Sequence, residues 1–220
     1  MIHLDVISDP ICPWCFIGKT RLEQALEKYP EPIFDIEWHP FMLNPDMPPE
    51  GMDRRAYLEQ KFGGREGAAS VYGQIADAAR ETGIEIDFDA IRRTPSTLDA
   101  HRLIHWAGIE GVQNAVVDGL FRAYFQQGKD ISDPAVLSEI AAQAGMDAQV
   151  VTRLLAQDVD REGIRQRAAM VRERGVQGVP CFIIDNSRVV QGAHPAETWV
   201  QLIDQMIAPP TEPATEPDQA

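Results

Sequence analysis

The sequence predicts an α/β protein in which a small sheet is interrupted by a long helical segment. Three observations support this prediction. The first 40 residues show a strand, helix, strand order, residues from about 53 to 174 show helical patterns, and strand and helix patterns then return. The two ends of the chain must therefore pair into one sheet, with the helical segment packed against it.

The opening βαβ unit is read from alternating and helical apolar spacing. Residues 2–7 alternate apolar and polar side chains, which predicts the first strand. A helical pattern follows and is stopped by Pro30. Phe34, Ile36 and Trp38 then fall on one face of a second strand. Two cysteines lie at the turn between the first strand and the helix.

The middle of the chain predicts a loop and then several helices. Residues 41–52 contain prolines and glycines typical of a connecting loop. Ser96 is the expected N-cap of a helix that ends at Gly108. Further helices are expected over the segments 112–128, 133–145, 147–157 and 159–174.

The last part of the chain predicts a hairpin and a helix. Two apolar runs surround a turn at 185–187, and an amphipathic helix follows over 195–207. Residues 208–220 are rich in proline and acidic residues and are predicted to be disordered. The predicted division is a sheet domain of residues 1–45 and 175–207, a helical insertion of 46–158 and a bridging helix of 159–174.

Composition and charge exclude several classes of protein. The 220 residues carry a formal net charge of −14, and an acidic surface repels phosphate backbones, so we expect no nucleic-acid partner. No apolar run of about 18 residues is present, so we expect no membrane span. The N-terminus lacks the pattern of a signal peptide, and three cysteines are too few for a secreted disulfide framework. We therefore expect a cytoplasmic protein.

The motif Cys12-Pro13-Trp14-Cys15 predicts a redox site. Cysteines three positions apart on the first turn of a helix are neighbours on its surface. Pro13 suits the first helical position, so Cys12 lies where the helix dipole favours a thiolate, the form that attacks disulfides. A CxxC pair next to a βαβ pattern is typical of thioredoxin-like redox proteins. The predicted architecture is thus a thioredoxin-like fold with a large all-helical insertion between its βαβ and ββα halves.

The expected reaction is thiol–disulfide exchange. Cys12 attacks a disulfide to give a mixed disulfide, and Cys15 resolves it. Asp9 opposes the thiolate if it lies close, and no basic residue separates the cysteines, so we expect no strong oxidant. The sequence leaves the direction of electron flow open.

Val179 and Pro180 are the second half of the predicted site. Proline at the head of a buried strand is unusual, because it cannot donate a hydrogen bond to the sheet. A cis Val179–Pro180 bond would explain it and would leave the Val179 backbone free to pair with an extended substrate. The alternative from the residues alone is an ordinary trans proline that opens a strand.

The motifs "SDPICPWCFIGK", "RTPSTLDAHRLIHWA" and "GVQGVPCFIID" carry a family resemblance. Together with the order of elements over residues 2–207, they resemble the DsbA family of thiol-disulfide oxidoreductases. The chain is most similar to the FrnE-like branch, which is related to 2-hydroxychromene-2-carboxylate isomerases and kappa-class glutathione transferases. The resemblance implies Cys12 as nucleophile, Cys15 as resolving thiol and a cis Pro180 facing them.

The resemblance also implies roles for a helical segment. It suggests that "RTPSTLDAHRLIHWA" borders the cleft above the dithiol, with His101 or Arg102 touching the substrate. The relatives that act as isomerases or transferases have serine at the nucleophile position and lack the second cysteine, which favours redox chemistry here. The chain departs from its relatives at Cys181, where they usually carry a non-thiol residue.

Structural interpretations remain for several of these residues. A zinc half-site at CxxC would need further ligands, and "HRLIH" lacks the glutamate of a zincin, so we expect no metal site. A structural disulfide between the two cysteines gains little from so small a loop. Cys181 is expected to be a small core residue and His39 a structural histidine. Trp14 is expected on a contact surface, and the methionines of the 41–52 loop serve either substrate contact or packing.

Three functional hypotheses follow. The first is a dithiol oxidoreductase without a bound cofactor, which acts on thiol- or disulfide-containing proteins or small molecules. The second is an isomerase or transferase that uses glutathione as co-substrate. The third is a binding module or holdase for unfolded chains. The sequence leaves monomer and homodimer open.

Overall fold

The computed structural model describes residues 1–208 and shows one four-stranded sheet with nine helices in that part of the chain. The predicted α/β fold is confirmed. Most of the tail predicted to be disordered, residues 209–220, lies outside the described residues. Among the described helices, none combines the length and apolar character that crossing a membrane requires.

The first half of the chain begins with the predicted βαβ unit and continues into helices and two very short strands. Its elements are β1 (Ile2–Ser8), α1 (Pro13–Leu26), β2 (Phe34–Pro40), β3 (Met52–Asp53), α2 (Arg54–Phe62), α3 (Arg65–Thr82), β4 (Arg93–Thr94) and α4 (Leu98–Ile109). The β3–β4 ladder was not predicted, because two-residue strands leave no periodic signal.

The second half contains four more helices, then the hairpin and the last helix. Its elements are α5 (Gln113–Phe125), α6 (Pro134–Gln143), α7 (Ala148–Leu155), α8 (Arg161–Glu173), β5 (Cys181–Ile184), β6 (Arg188–Gln191) and α9 (Ala196–Ile207). Asp185 and Asn186 adopt positive φ angles in the hairpin turn, a conformation that short polar side chains tolerate. The hairpin prediction is confirmed.

One helix start differs from the prediction. The N-cap of α4 is Thr97 and not Ser96, and the Thr97 side chain makes no capping hydrogen bond. The α6 start is as expected, since the Asp133 carboxylate accepts a hydrogen bond from the Ala135 amide and Pro134 opens the helix. Tertiary packing therefore positions the α4 start without a side-chain cap.

The sheet joins both ends of the chain in the order β2-β1-β5-β6. Strands β1 and β2 are parallel, whereas β5 pairs antiparallel with both β1 and β6. One face of β1 carries Leu4 and Val6 into the main core, which α1 and α9 also line through residues such as Ile17 and Trp199. The other face buries Ile7 against Phe41 and Cys181. The sheet thus brings the strand before the dithiol beside the strand that follows Pro180.

Aromatic stacking connects the sheet to the helical segment. The Phe16 ring of α1 stacks on Phe121 and Phe125 of α5 with centroid distances of 5.2 and 5.9 Å. The main core therefore continues from the sheet into α5 without a solvent gap. The domain boundaries at residues 45, 158 and 175 stay a prediction.

Candidate active site

Cys12 lies at the N-cap of α1, directly before Pro13 at the first helical position. Its amide donates to the Asp9 carbonyl at 2.9 Å, and its carbonyl accepts from the Cys15 and Phe16 amides at 3.0 and 3.3 Å. These bonds fix a tight turn between β1 and α1. The Cys12 sulfur consequently lies at the positive end of the helix dipole, as the sequence predicts.

The two thiols differ in burial. Cys12 is 5% exposed and Cys15 is 1% exposed, and both are free thiols. Burial raises the pKa of Cys15 well above its ordinary value, and the neighbouring Cys12 adds to this effect. The Ser8 side chain and the Asp9 backbone amide hydrogen-bond the Cys15 sulfur and partly oppose the shift. Cys12 is thus the more accessible thiol, although the structure covers it more than an N-cap position suggests.

Val179 and Pro180 face the dithiol from the opposite loop, and the peptide bond between them is cis. The Cys12 Sγ donates to the Val179 carbonyl oxygen at 3.7 Å. The loop is anchored because the Gly192 amide donates to the Pro180 carbonyl at 2.8 Å. Sequence positions about 167 residues apart therefore meet at one sulfur atom.

Asp9 lies beneath the turn that carries Cys12 and is fully buried. Its carboxylate accepts from the Leu43 amide at 2.7 Å and from the Ile11 amide at 3.4 Å. Burial raises the pKa of Asp9 to about 6, and these backbone hydrogen bonds partly offset the shift. The sequence indicated only that Asp9 would oppose a thiolate if close. It did not indicate burial, which depends on the distant 41–43 segment.

His101 lies beside Asp9 and is buried. Its Nε2 is 3.2 Å from the Phe41 carbonyl and 3.8 Å from Asp9 Oδ1. Burial lowers the pKa of His101 to about 4, so the imidazole is neutral at pH 7 and the contact with Asp9 is not an ion pair. With 3% of its surface exposed, His101 does not lie where a substrate would touch it. The expectation that it contacts substrate is therefore not retained.

Arg102 is likewise not available to substrate. It is fully buried, and its guanidinium donates to Asp99 and to the carbonyls of Val159, Leu154 and Gln157 at 2.6–2.8 Å. A guanidinium that binds three carbonyls and a carboxylate holds the chain after α7 against α4. The expected substrate contact of Arg102 is corrected to this structural role. The sequence of a short helical motif does not show whether its arginine is exposed or buried.

The remaining predicted residues lie at or near the site. Pro13 and Trp14 are half-buried, and Trp14 packs against the core instead of standing free in solvent. Cys181 is fully buried against Ile7 and Phe41. Met42 is buried as well, whereas Met47 and Met52 line a groove of about 480 Å³.

Leu43 lines this groove and donates its amide to Asp9, which lies beneath the turn that carries Cys12. Asn44 and Lys61 also line the groove. The Asn44 Oδ1 accepts from Tyr57, but its buried Nδ2 has no hydrogen-bond partner among the described residues. A ligand with an acceptor group would satisfy this amide.

A βαβ and ββα sheet with a CxxC pair at the start of its first helix defines a dithiol protein of thioredoxin fold. The chain belongs to the DSBA-like thioredoxin domain family, which matches residues 3–204. The resemblance to the DsbA family is thereby confirmed.

Known proteins similar to this chain support the assignment. A structure described as a probable DsbA oxidoreductase from Streptomyces coelicolor is 29% identical, with a TM-score of 0.83 and coverage of 99% of this chain and 97% of that one. The uncharacterized protein YwbO of Bacillus subtilis is 28% identical over 200 residues, which cover 87% of this chain and 90% of YwbO.

A more distant structure shares the fold. The cytosolic disulfide reductase DsbM from Pseudomonas aeruginosa is 18% identical, with a TM-score of 0.66 and coverage of 93% of this chain and 98% of that one. At this level of identity the similarity establishes the fold alone.

Proposed function

We propose that this protein is a thiol–disulfide oxidoreductase that uses Cys12 as nucleophile and Cys15 as resolving thiol. The observation that carries the proposal is the meeting of three features at one sulfur atom. Cys12 caps α1, Cys15 lies one turn further along the helix, and the Val179 carbonyl contacts the Cys12 thiol. Family membership supports redox chemistry of this class.

The proposed reaction has two exchange steps. The Cys12 thiolate attacks one sulfur of a substrate disulfide, forms a mixed disulfide and releases the other sulfur as a thiolate. The Cys15 thiolate then attacks the Cys12 sulfur, forms the Cys12–Cys15 disulfide and releases the second substrate thiolate. Two electrons pass to the substrate, and the released thiolates take up protons according to their pKa. Two external thiols reverse both steps and restore the dithiol.

Substrate binding is proposed at the surface around the dithiol. An extended peptide would replace the Cys12 thiol as hydrogen-bond partner of the Val179 carbonyl, in the manner of an added strand. Pro13, Trp14 and Pro180 would contact the residues that flank the substrate disulfide. We place this activity in the cytoplasm, where the DsbM reductase of the same fold is found.

Glutathione is the proposed small-thiol substrate. The groove beside Asp9 presents the unpaired amide of Asn44 and the ammonium of Lys61, which suit the amide and carboxylate acceptors of a peptide thiol. A solved DsbM structure contains glutathione, which supports small-thiol exchange on this fold. The monomer or homodimer state does not enter this proposal.

The test is a set of three matched cysteine variants. Reduction of insulin and of glutathione disulfide should fall at least 100-fold in Cys12→Ser. Cys15→Ser should also lose turnover but accumulate a mixed disulfide, which mass spectrometry detects as an adduct. Cys181→Ser is the control and should stay within twofold of the parent, because Cys181 packs away from the dithiol. Undiminished activity of Cys12→Ser would refute the proposal.

The isomerase alternative is separated by its different requirement for cysteines. A 2-hydroxychromene-2-carboxylate isomerase has the same fold, with 16% identity and a TM-score of 0.67. Turnover of a chromene carboxylate that needs glutathione and survives Cys15→Ala would support that chemistry. We expect no such turnover.

A further inference from the structure

Four side chains of the types that can ligate a metal ion project from one face of the two parallel strands. His3 and Asp5 belong to β1, and Glu37 and His39 belong to β2. Asp5 pairs with Glu37 in the sheet register. Because alternate residues of a strand share a face, all four lie on the face opposite the apolar residues of β1 that enter the main core.

The donor atoms of these residues lie close together. The Nε2 atoms of His3 and His39 lie 2.9 and 2.6 Å from the same oxygen, Asp5 Oδ1. Glu37 Oε1 is 4.0 Å from His39 Nε2. Ligand atoms of His3, Asp5 and Glu37 all lie within 4.8 Å of one another.

These spacings bracket those of a tetrahedral metal site. Ligands about 2.0–2.1 Å from a zinc ion are about 3.3–3.4 Å from one another. Rotation of the exposed Glu37 carboxylate and separation of the His3 imidazole from Asp5 by less than 1 Å would bring these three ligands towards this spacing, and the His39 side chain must turn towards them to join the site. Both strands are paired along their length, which holds the four positions in register.

We propose that His3, Asp5, Glu37 and His39 form a binding site for a divalent transition-metal ion such as Zn²⁺. Two imidazoles and two carboxylates match the ligand preference of zinc, and the two carboxylates balance the charge of the ion. When the metal binds to an imidazole Nε2, it takes the place of any proton between that nitrogen and Asp5. This proton is released to solvent. The site is separate from the dithiol and does not depend on the proposed oxidoreductase activity.

The four residues are accessible to an ion. Their side chains are 36% (His3), 15% (Asp5), 59% (Glu37) and 30% (His39) exposed. His3, Glu37 and His39 line a groove of about 1110 Å³ between β2 and helices α4 and α5. His105 and Arg167 line the same groove, but the Arg167 guanidinium lies 3.0 Å from His105 Nδ1, which makes His105 a poor ligand.

The sequence alone does not reveal this site. The ligands occur as two pairs about 30 residues apart, and each pair has the i, i+2 spacing of a strand and not the spacing of a known metal motif. His39 was expected to be structural. Only the parallel register of β1 and β2 joins the pairs.

The test is a Zn²⁺ titration by calorimetry in a Cys12→Ser/Cys15→Ser background, which removes the two thiols of the dithiol and leaves only the buried Cys181. We expect saturation at one equivalent and cobalt absorption bands of a low-symmetry site with nitrogen and oxygen ligands. Asp5→Asn and His39→Ala should each weaken binding at least tenfold. His105→Ala is the matched control in the same groove and should bind within twofold of the background protein.

Four results would overturn the proposal. Three of them are the absence of saturable binding by the background protein, an affinity in Asp5→Asn and His39→Ala equal to that of the background protein, and a loss of binding in His105→Ala equal to that in His39→Ala. His3→Gln is a mild change at a partly exposed side chain and is expected to fold, so the test does not depend on the other variants alone. Circular dichroism of each variant verifies the fold, and binding retained by a folded His3→Gln would also contradict the assignment.

Discussion

At the scale of single residues, burial distinguishes the two cysteines of the proposed reaction. Cys15 is 1% exposed, and burial raises the pKa of its thiol well above the ordinary value, so in the proposed reaction this thiol is protonated when a substrate approaches Cys12. A resolving thiol that ionises late gives the mixed disulfide time to form with the intended partner. The Ser8 side chain and the Asp9 amide lower the pKa of Cys15 and partly oppose the effect of burial, which favours the thiolate that the proposed reaction requires.

Asp9 and His101 respond to pH in opposite directions. The pKa of His101 is lowered to about 4, so its contribution to stability is present above its ordinary pKa of 6.5 and is lost as pH falls towards 4. The pKa of Asp9 is raised from 3.8 to about 6, so its contribution is present at acid pH and is lost as pH rises through 6. Between pH 4 and 6 the two effects offset each other.

Replacement of His101 should remove its contribution to the pH dependence of stability and leave that of Asp9. We expect His101→Gln to become more stable relative to the parent protein by about 2 kcal/mol between pH 7.5 and pH 5, because at pH 5 the unfolded parent binds a proton at His101 that the folded parent does not, which lowers the free energy of unfolding of the parent. The glutamine can still donate to the Phe41 carbonyl. Urea unfolding of both proteins at the two pH values measures the difference.

His105→Gln is the control for this prediction. His105 is only partly buried, and burial and Arg167 lower its pKa, so we expect a smaller change of the same sign. A stability difference between His101→Gln and the parent that does not vary with pH would contradict the burial argument.

At the scale of elements, α1 positions both halves of the candidate site. Gly18 of α1 lies against the loop that faces the dithiol, and a Cβ at Gly18 would lie 2.9 Å from Pro180 Cγ and 3.4 Å from Ala193 Cβ. The close approach of helix and loop therefore requires glycine. It keeps Pro180 and the Val179 carbonyl within reach of Cys12.

Substitution of this glycine should impair activity more than stability. We expect Gly18→Ala to lower disulfide reductase turnover at least fivefold, because the methyl group pushes the Pro180 loop away from Cys12. The gain in helix propensity of about 1 kcal/mol offsets part of an overpacking cost of about 1–3 kcal/mol. Steady-state insulin reduction and thermal unfolding measure the two effects.

The matched control is Gly119 of α5, where a Cβ would lie 2.8 Å from Ile140. Gly119→Ala carries the same gain in propensity and a similar crowding in a helix pair that does not hold the dithiol. Its turnover should equal that of the parent. Equal turnover of Gly18→Ala and Gly119→Ala would show that the α1 contact with Pro180 does not position the site.

The sequence predicted the elements that have strong periodicity and failed where long-range packing decides. The βαβ start, the hairpin and the last helix follow from local patterns, and the structure confirms them. The β3–β4 ladder and the Thr97 cap depend on contacts between distant segments and were missed. Local spacing sufficed to predict that Cys12 and Cys15 lie near each other, because both lie on one helical turn.

The same difference explains the two helical residues that were misplaced. His101 and Arg102 belong to a motif that borders the dithiol turn, but a helix presents some residues inward and some outward. Only the packing of α4 on the 41–43 segment and on the chain after α7 shows that both point inward. Exposure is a property of the assembled molecule, which a motif does not encode.

At the scale of the whole molecule, the formal net charge of −14 sets the long-range field. Charges of one sign repel anionic substrates and attract cationic ones over a distance set by the Debye length, about 30 Å at 0.01 M salt and a few Å near 1 M. A protein of this size lies within that range at low salt. The approach of small disulfides to Cys12 should therefore depend on their charge.

The ratio of exchange rates for cystamine, a cationic disulfide, and for glutathione disulfide, an anionic one, tests this dependence. We expect the ratio to fall at least threefold when the ionic strength rises from 10 to 500 mM, because salt removes the attraction of one and the repulsion of the other. Hydroxyethyl disulfide is the neutral control, and its rate should stay constant. Stopped-flow tryptophan fluorescence of the reduced protein follows each reaction. If glutathione disulfide instead reacts faster at low salt, the local cation Lys61 in the groove that Leu43 lines governs the encounter, and the net charge of the molecule does not.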